Sequence, residues 1–282
     1  MNDSSIKITS KKKLRTTKTY IIPYLIWISI LIILPTIILI FLSFSTYDFS
    51  TNSEIHFSFK NWGYIIGSEY SRNVFWPAIF RSMEVSFFVT VFCFFIGYPV
   101  ALLMTKMKPI FRALVMAFLA LPLWSNQVLR IVSWRTIFEI LNMNHNSLYI
   151  FNIIVALTSM YLPFMILPIF TVLEKIDSKV IEASYDLGCT KTQSFFKVVF
   201  PLSLGGIVSG IIMVFLPCLT TFEVSDAISY NTVLLLGNLI YNRFQGSGGY
   251  NVGSIFSIIT VLFTMIGFVL LLKVDKEGET LI

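Results

Sequence analysis

Glu174 to Pro201 reads EKIDSKVIEASYDLGCTKTQSFFKVVFP. Eight charges, four of each sign, fall between Glu174 and Lys197, while the flanking runs Asn146–Leu173 and Val198–Phe222 hold none. Asp177 or Ser178 is placed to cap a helix, since a side-chain oxygen there accepts from a backbone N–H that would otherwise lack a partner. Gly188 can take the left-handed conformation that ends such a helix. Thr190 and Gln193 have the spacing of a capping box for a second helix, which continues through Phe195 and Phe196. Pro201 then marks a bend into the next apolar run. The stretch predicts two short helices around a glycine, joining two membrane crossings.

Outward from this loop, the chain is a series of such runs. A helix needs about 20 apolar residues to cross a hydrocarbon core of about 30 Å. Stretches without Asp, Glu, Lys or Arg run Tyr20–Ser45, Val85–Thr105, Ala113–Leu129, Asn146–Leu173, Val198–Phe222 and Asn251–Leu272. They predict an all-α integral membrane protein with six transmembrane helices at about 20–45, 85–105, 113–132, 146–173, 198–222 and 251–272. The intracellular loop is then 174–197, within a membrane domain 20–273, with a basic segment 1–19 before it and a tail 274–282 after it. A seventh uncharged piece, Ala227–Asn242, carries Asn231, Gly237 and Asn238 and suits a re-entrant or surface-lying helix. The overall composition agrees: 56% of the 282 residues are apolar and 13% charged, against roughly a quarter charged in a soluble domain. Lys11, Lys12, Lys13, Arg15 and Lys18 precede the first run like the start of a secretory signal, but that run exceeds the roughly 7–15 residues of a signal core and should stay as an anchor.

With the N-terminus inside, 15 of the 21 Lys and Arg lie in segments on the same side. The positive-inside rule therefore places both termini and the Glu174–Lys197 loop in the cytoplasm. The net charge of +6 follows from this topology and from anionic lipid, so nucleic-acid binding is not expected. Cys93, Cys189 and Cys218 are too few and too scattered for a disulfide framework, and Cys93 and Cys218 read as small apolar packers within spans. The sequence has no GxxxxGK[ST] phosphate loop, no HExxH and no paired CxxC. Its histidines, His56 and His145, fall in predicted outer loops, and Gly246–Gly249 reads as a turn. We expect no cofactor, no metal and no bond cleavage by this chain; any nucleotide-driven step needs a second protein.

The loop also carries a family resemblance. Glu182-Ala183-Ser184, three residues, Gly188, nine residues and Val198-Val199-Phe200-Pro201 resemble the EAA loop of permease subunits in binding-protein-dependent ABC importers. Ser184 replaces the second alanine of that pattern, Val198 its isoleucine and Phe200 its leucine. The resemblance implies a type I ABC importer permease (MetI-like) fold in the plasma membrane. It implies that Glu182, Ala183, Ser184, Asp186, Leu187, Gly188 and Pro201 make or shape a coupling helix docked on a separate ATPase. It further implies three kinds of partner: a second homologous permease, two copies of a cytoplasmic ABC ATPase, and an extracytoplasmic binding protein or lipoprotein.

Other stretches resemble the spermidine/putrescine branch of that family, in particular the first of its two permease subunits. These are Ile96-Gly97-Tyr98-Pro99, Leu121-Pro122-Leu123-Trp124-Ser125-Asn126, Leu129-Arg130-Ile131, Tyr161-Leu162-Pro163-Phe164-Met165 and Val224-Ser225-Asp226. A polyamine needs carboxylates for its ammonium groups and aromatic faces for cation–π and methylene contact. Asp226, Glu223, Phe222, Trp124, Asn126 and Tyr161 are the candidates for such a path, and the resemblance favours Asp226. Glu84 has a plainer reading as a partner of Arg81, and Glu223 and Asp226 have one as helix-end residues in water. Alternatives are a permease of the same architecture for another small solute, such as a sugar, thiamine or ferric iron, or a secondary transporter.

Overall fold

The structure is a computed structural model that describes residues 3–45, 56–245 and 249–274. The Gly246–Gly249 turn and most of the predicted tail lie largely outside the described residues. Thirteen helices are described, α1 (Asp3–Ser43), α2 (Lys60–Gly67), α3 (Trp76–Lys106), α4 (Pro109–Trp124), α5 (Gln127–Ile140), α6 (Tyr149–Glu174), α7 (Ser178–Asp186), α8 (Lys191–Ser194), α9 (Phe200–Leu202), α10 (Leu204–Thr220), α11 (Glu223–Ser229), α12 (Leu236–Gln245) and α13 (Tyr250–Val274). π-helical turns at Ser71–Phe75 and Phe195–Val199 lead into α3 and α9.

Among the described residues, four helical segments are long and apolar enough to cross a membrane: Ile22–Ser43, Ser71–Lys106, Tyr149–Glu174 and Tyr250–Val269. Two bent pairs raise the possible total to six, α4 with α5 at 94° and Lys191–Leu202 with α10 at 59°. The uninterrupted span expected at 113–132 is therefore divided. Its apolar helix stops at Trp124, and Asn126 starts a new one by accepting from the Val128 N–H at 2.8 Å. The expected 198–222 span is divided in the same way at Ser203. Segment 227–242 is broken between α11 and α12, where Tyr230 and Asn231 adopt φ of 51° and 61°. No ion pair joins Arg81 to Glu84 among the described residues, so that local reading of Glu84 fails.

Between apolar helices in lipid there is little hydrophobic drive to associate, so close backbone approach and van der Waals packing must hold the bundle. Small residues supply it here. A Cβ on Gly206 would lie 2.9 Å from the Pro168 carbonyl oxygen, and one on Gly210 would lie 2.7 Å from Met165 Sδ. A Cβ on Gly97 would stand 3.2 Å from the same methionine's Cγ. Thus α3, α6 and α10 meet around Met165, Ile166 and Ile169, all fully buried. Cys93 and Cys218 are buried in this centre, and Cys93 Sγ donates to the Thr158 carbonyl at 3.6 Å. A second cluster joins α3 to α12 and α13, with Phe75 stacked on Phe256 at 4.3 Å. Most of the apolar side chains of α1 from Ile22 to Phe41 are exposed.

Candidate functional sites

One end of the bundle is organised by the stretch 174–203. Asp177 caps α7 by accepting from the Lys179 N–H at 3.0 Å. At the other end of α7, Gly188 has φ of +86°, and its N–H donates to Tyr185 O at 2.8 Å. The Thr190–Gln193 capping box forms with both bonds present. These local contacts make α7 and α8 a rigid elbow. A bond the sequence did not suggest closes it: Ser184 and Ser194 hydroxyls meet at 2.7 Å in a buried setting. Ser184 thus faces inward, while Glu182, Ala183, Asp186, Leu187 and Gly188 are exposed, Leu187 at 86%.

The elbow is tied to the bundle where α9 bends into α10. The Tyr98 hydroxyl on α3 lies 3.1 Å from Ser203 Oγ, with Phe195 and Phe200 packed against its ring. Pro201 is exposed at this bend. Arg112 at the start of α4 forms an ion pair with Glu174 at the end of α6.

Away from the elbow, Tyr161, midway along α6, lies beside Thr221, with Glu223 and Arg130 within electrostatic reach. Phe222 stacks on Tyr241 at 4.6 Å, and Asn238 donates to the Phe222 carbonyl at 3.4 Å. Gly237 makes this approach possible, because a Cβ there would collide with the Thr220 carbonyl. Ser225 Oγ donates to Val233 O at 2.6 Å, and Ser82 Oγ accepts from the Leu236 N–H at 2.8 Å. The turn between α11 and α12 is therefore pinned to α3. Glu223 and Asp226 both expose their side chains in the first turn of α11.

Of the six expected path residues, the structure brings Tyr161, Phe222 and Glu223 into one neighbourhood, with Asp226 one turn on. No hydrogen bond or ring contact joins Trp124 or Asn126 to them among the described residues. Trp124 is 92% exposed, and Asn126 is occupied in capping α5. Sequence reasoning did not count Arg130 among the path residues; its Nε and Nη1 are buried without a hydrogen-bond partner among the described residues. It also missed a clasp between α5 and the turn after α11. There Glu139 accepts from the Tyr230 hydroxyl at 2.5 Å and from Arg135 at 2.9 Å, and the Arg135 guanidinium lies 4.4 Å above the Tyr230 ring. Partners 91 residues apart leave no local signal.

The sequence profile described as binding-protein-dependent transport system inner membrane component matches residues 86–276. The chain belongs to that family. This permease is 31% identical over 258 residues to the spermidine/putrescine transport system permease protein PotB of Haemophilus influenzae, covering 86% of this chain and 88% of the relative. It is 28% identical over 259 residues to the PotB of Escherichia coli, covering 87% and 92%. Among solved structures, a bacterial ABC transporter involved in import of the acidic polysaccharide alginate matches with a TM-score of 0.74 at 14% identity, covering 96% of this chain and 98% of that one. The MetNI methionine ABC transporter in inward facing conformations matches at 0.59 and 21% identity, covering 74% and 97%. The likeness in fold is shown at that level. The permease is a multi-pass integral membrane protein and a transport subunit, not an enzyme in its own right, and its family implies a second permease, an ATPase and a binding protein around it.

Proposed function

We propose that this permease forms half of the translocation path of an ATP-driven polyamine importer. Its similarity to spermidine/putrescine permeases along 86% of its length carries the reading. The grouping of Tyr161, Phe222 and Glu223, with Asp226 one turn on, supports it, since it offers carboxylates and aromatic faces to a chain of ammonium groups. In this account the elbow faces the cytoplasm, six spans cross the plasma membrane, and the exposed face of α7 docks on an ATPase. ATP binding closes the ATPases, the elbow moves with them, and the Tyr98–Ser203 contact passes the motion to α3 and α10. The two permeases then open outward to accept cargo from the binding protein, and hydrolysis restores the inward-facing state.

Arg130 favours a second reading, a permease for an anionic or neutral solute, because a half-buried guanidinium beside the path, with Nε and Nη1 unpartnered among the described residues, repels ammonium. Uptake of labelled putrescine, spermidine and a neutral sugar by the reconstituted complete transporter separates the two. On the polyamine reading, Glu223→Gln and Asp226→Asn each raise the KM for polyamine, and Arg130→Gln does not. Sugar uptake with no polyamine uptake contradicts it.

A further inference from the structure

A cavity of about 680 Å³ opens between the membrane end of the bundle and the elbow. Its walls come from the ends of α3, α4 and α6 and from the inner face of α7 and α8. Three cations, Lys106, Arg112 and Lys191, line it against one carboxylate, Glu174. Glu174 is taken by Arg112, so Lys106 and Lys191, both exposed, have no ion-pair partner among the described residues. The Arg112 Nε is buried and makes no hydrogen bond among the described residues. The remaining wall is largely apolar, including Leu102, Leu173 and Phe195.

From this charge pattern we infer that the cavity is a binding site for an anionic phospholipid, with the phosphate between Lys106, Arg112 and Lys191 and the glycerol and upper acyl chain against the apolar wall. Its depth fits. α3 ends at Lys106 and α4 begins at Pro109, which puts the cations where apolar helices leave the hydrocarbon and headgroups begin. Basic pockets between spans at that level are suited to phosphate headgroups. The side chains α7 gives the cavity, Ser178, Ile181 and Tyr185, recur at helical spacing; Glu182 borders this stripe, one turn from Ser178, while Asp186 and, beyond the helix end, Leu187 lie farther round. A lipid there leaves Asp186 and Leu187 exposed to a docked protein. The bound lipid would bridge α3, α4 and the elbow, stiffening the joint between spans and coupling helix.

The test uses the complete transporter, purified with its partners and placed in phosphatidylcholine nanodiscs. Phosphatidylglycerol is titrated in, and binding is read by native mass spectrometry and by the rise in melting temperature. The expected result is saturable binding that Lys106→Gln/Lys191→Gln weakens about 30-fold, which is about 2 kcal/mol for two headgroup-facing cations. The double variant should keep the wild-type melting temperature in phosphatidylcholine alone, since both lysines are exposed. Three results overturn the inference. One is phosphatidylglycerol binding unchanged in the double variant. Another is a melting shift reproduced in full by inorganic phosphate. The third is loss of the ATPase from the double variant with lipid binding intact, which would give the cavity to a protein partner.

Discussion

Gly188 is the residue on which the elbow turns, and the reason is its backbone. With φ at +86° and no atom within 4 Å of where a Cβ would sit, a side chain there meets strain without a clash. A left-handed residue other than glycine costs about 1–2 kcal/mol, least for asparagine and most for a β-branched residue. Gly188→Val should therefore lower coupled transport and melting temperature, with Gly188→Asn between it and wild type. Equal effects of Asn and Val would mean that bulk, not conformation, matters. Ser184 makes a different case. Ser184→Ala leaves the Ser194 hydroxyl buried without this partner, at a cost of about 1–3 kcal/mol. Ser184→Ala/Ser194→Ala removes both groups and should recover most of that loss in thermal unfolding of the permease. The caps at Asp177, Thr190 and Gln193 were legible because each rests on residues within three positions of one another. The Ser184–Ser194 bond was not, because it depends on how sharply the elbow folds.

At the scale of elements, α6 and α10 approach through Gly206 and Gly210, one turn apart. The two glycines differ in what lies nearest: the Pro168 carbonyl oxygen at 2.9 Å from a Cβ on Gly206, but Met165 Sδ at 2.7 Å from one on Gly210, where the nearest backbone atom, Met165 O, is at 3.2 Å. Backbone cannot yield and Met165 Sδ can. Gly206→Ala should thus lower the melting temperature more than Gly210→Ala, within the roughly 1–3 kcal/mol typical of overpacking. The reverse order would show that α6 and α10 are not held by this contact. Composition marked out the apolar helices but not where they break. The uncharged run passes through Trp124 and Ser125 to Leu129, and hydropathy does not register the 94° turn there. Asn126, a good N-cap residue, was the available signal. The π-helical turns before α3 and α9 have no sequence signature in this chain.

For the whole molecule, the described residues assemble two regions with different chemistry on one small-residue bundle. One presents an elbow with exposed Glu182, Asp186 and Leu187. The other gathers Tyr161, Phe222 and Glu223 beside Arg130. The elbow was readable in sequence through its spacing. The second region was readable only in part, because the rotation of each helix decides which side chains converge, and that rotation left Trp124 facing outward. The central claim is that the exposed face of α7 is gripped by a separate ATPase. Its most direct test is ATP-driven uptake and ATPase co-purification for Glu182→Lys/Leu187→Asp, two exposed positions whose change leaves the buried Ser184 contact intact. Loss of a central docking pair worth about 2 kcal/mol predicts roughly 30-fold weaker ATPase association and a matching fall in uptake, with the permease still folded at its wild-type melting temperature. Undiminished ATPase binding and uptake in that variant would contradict the account.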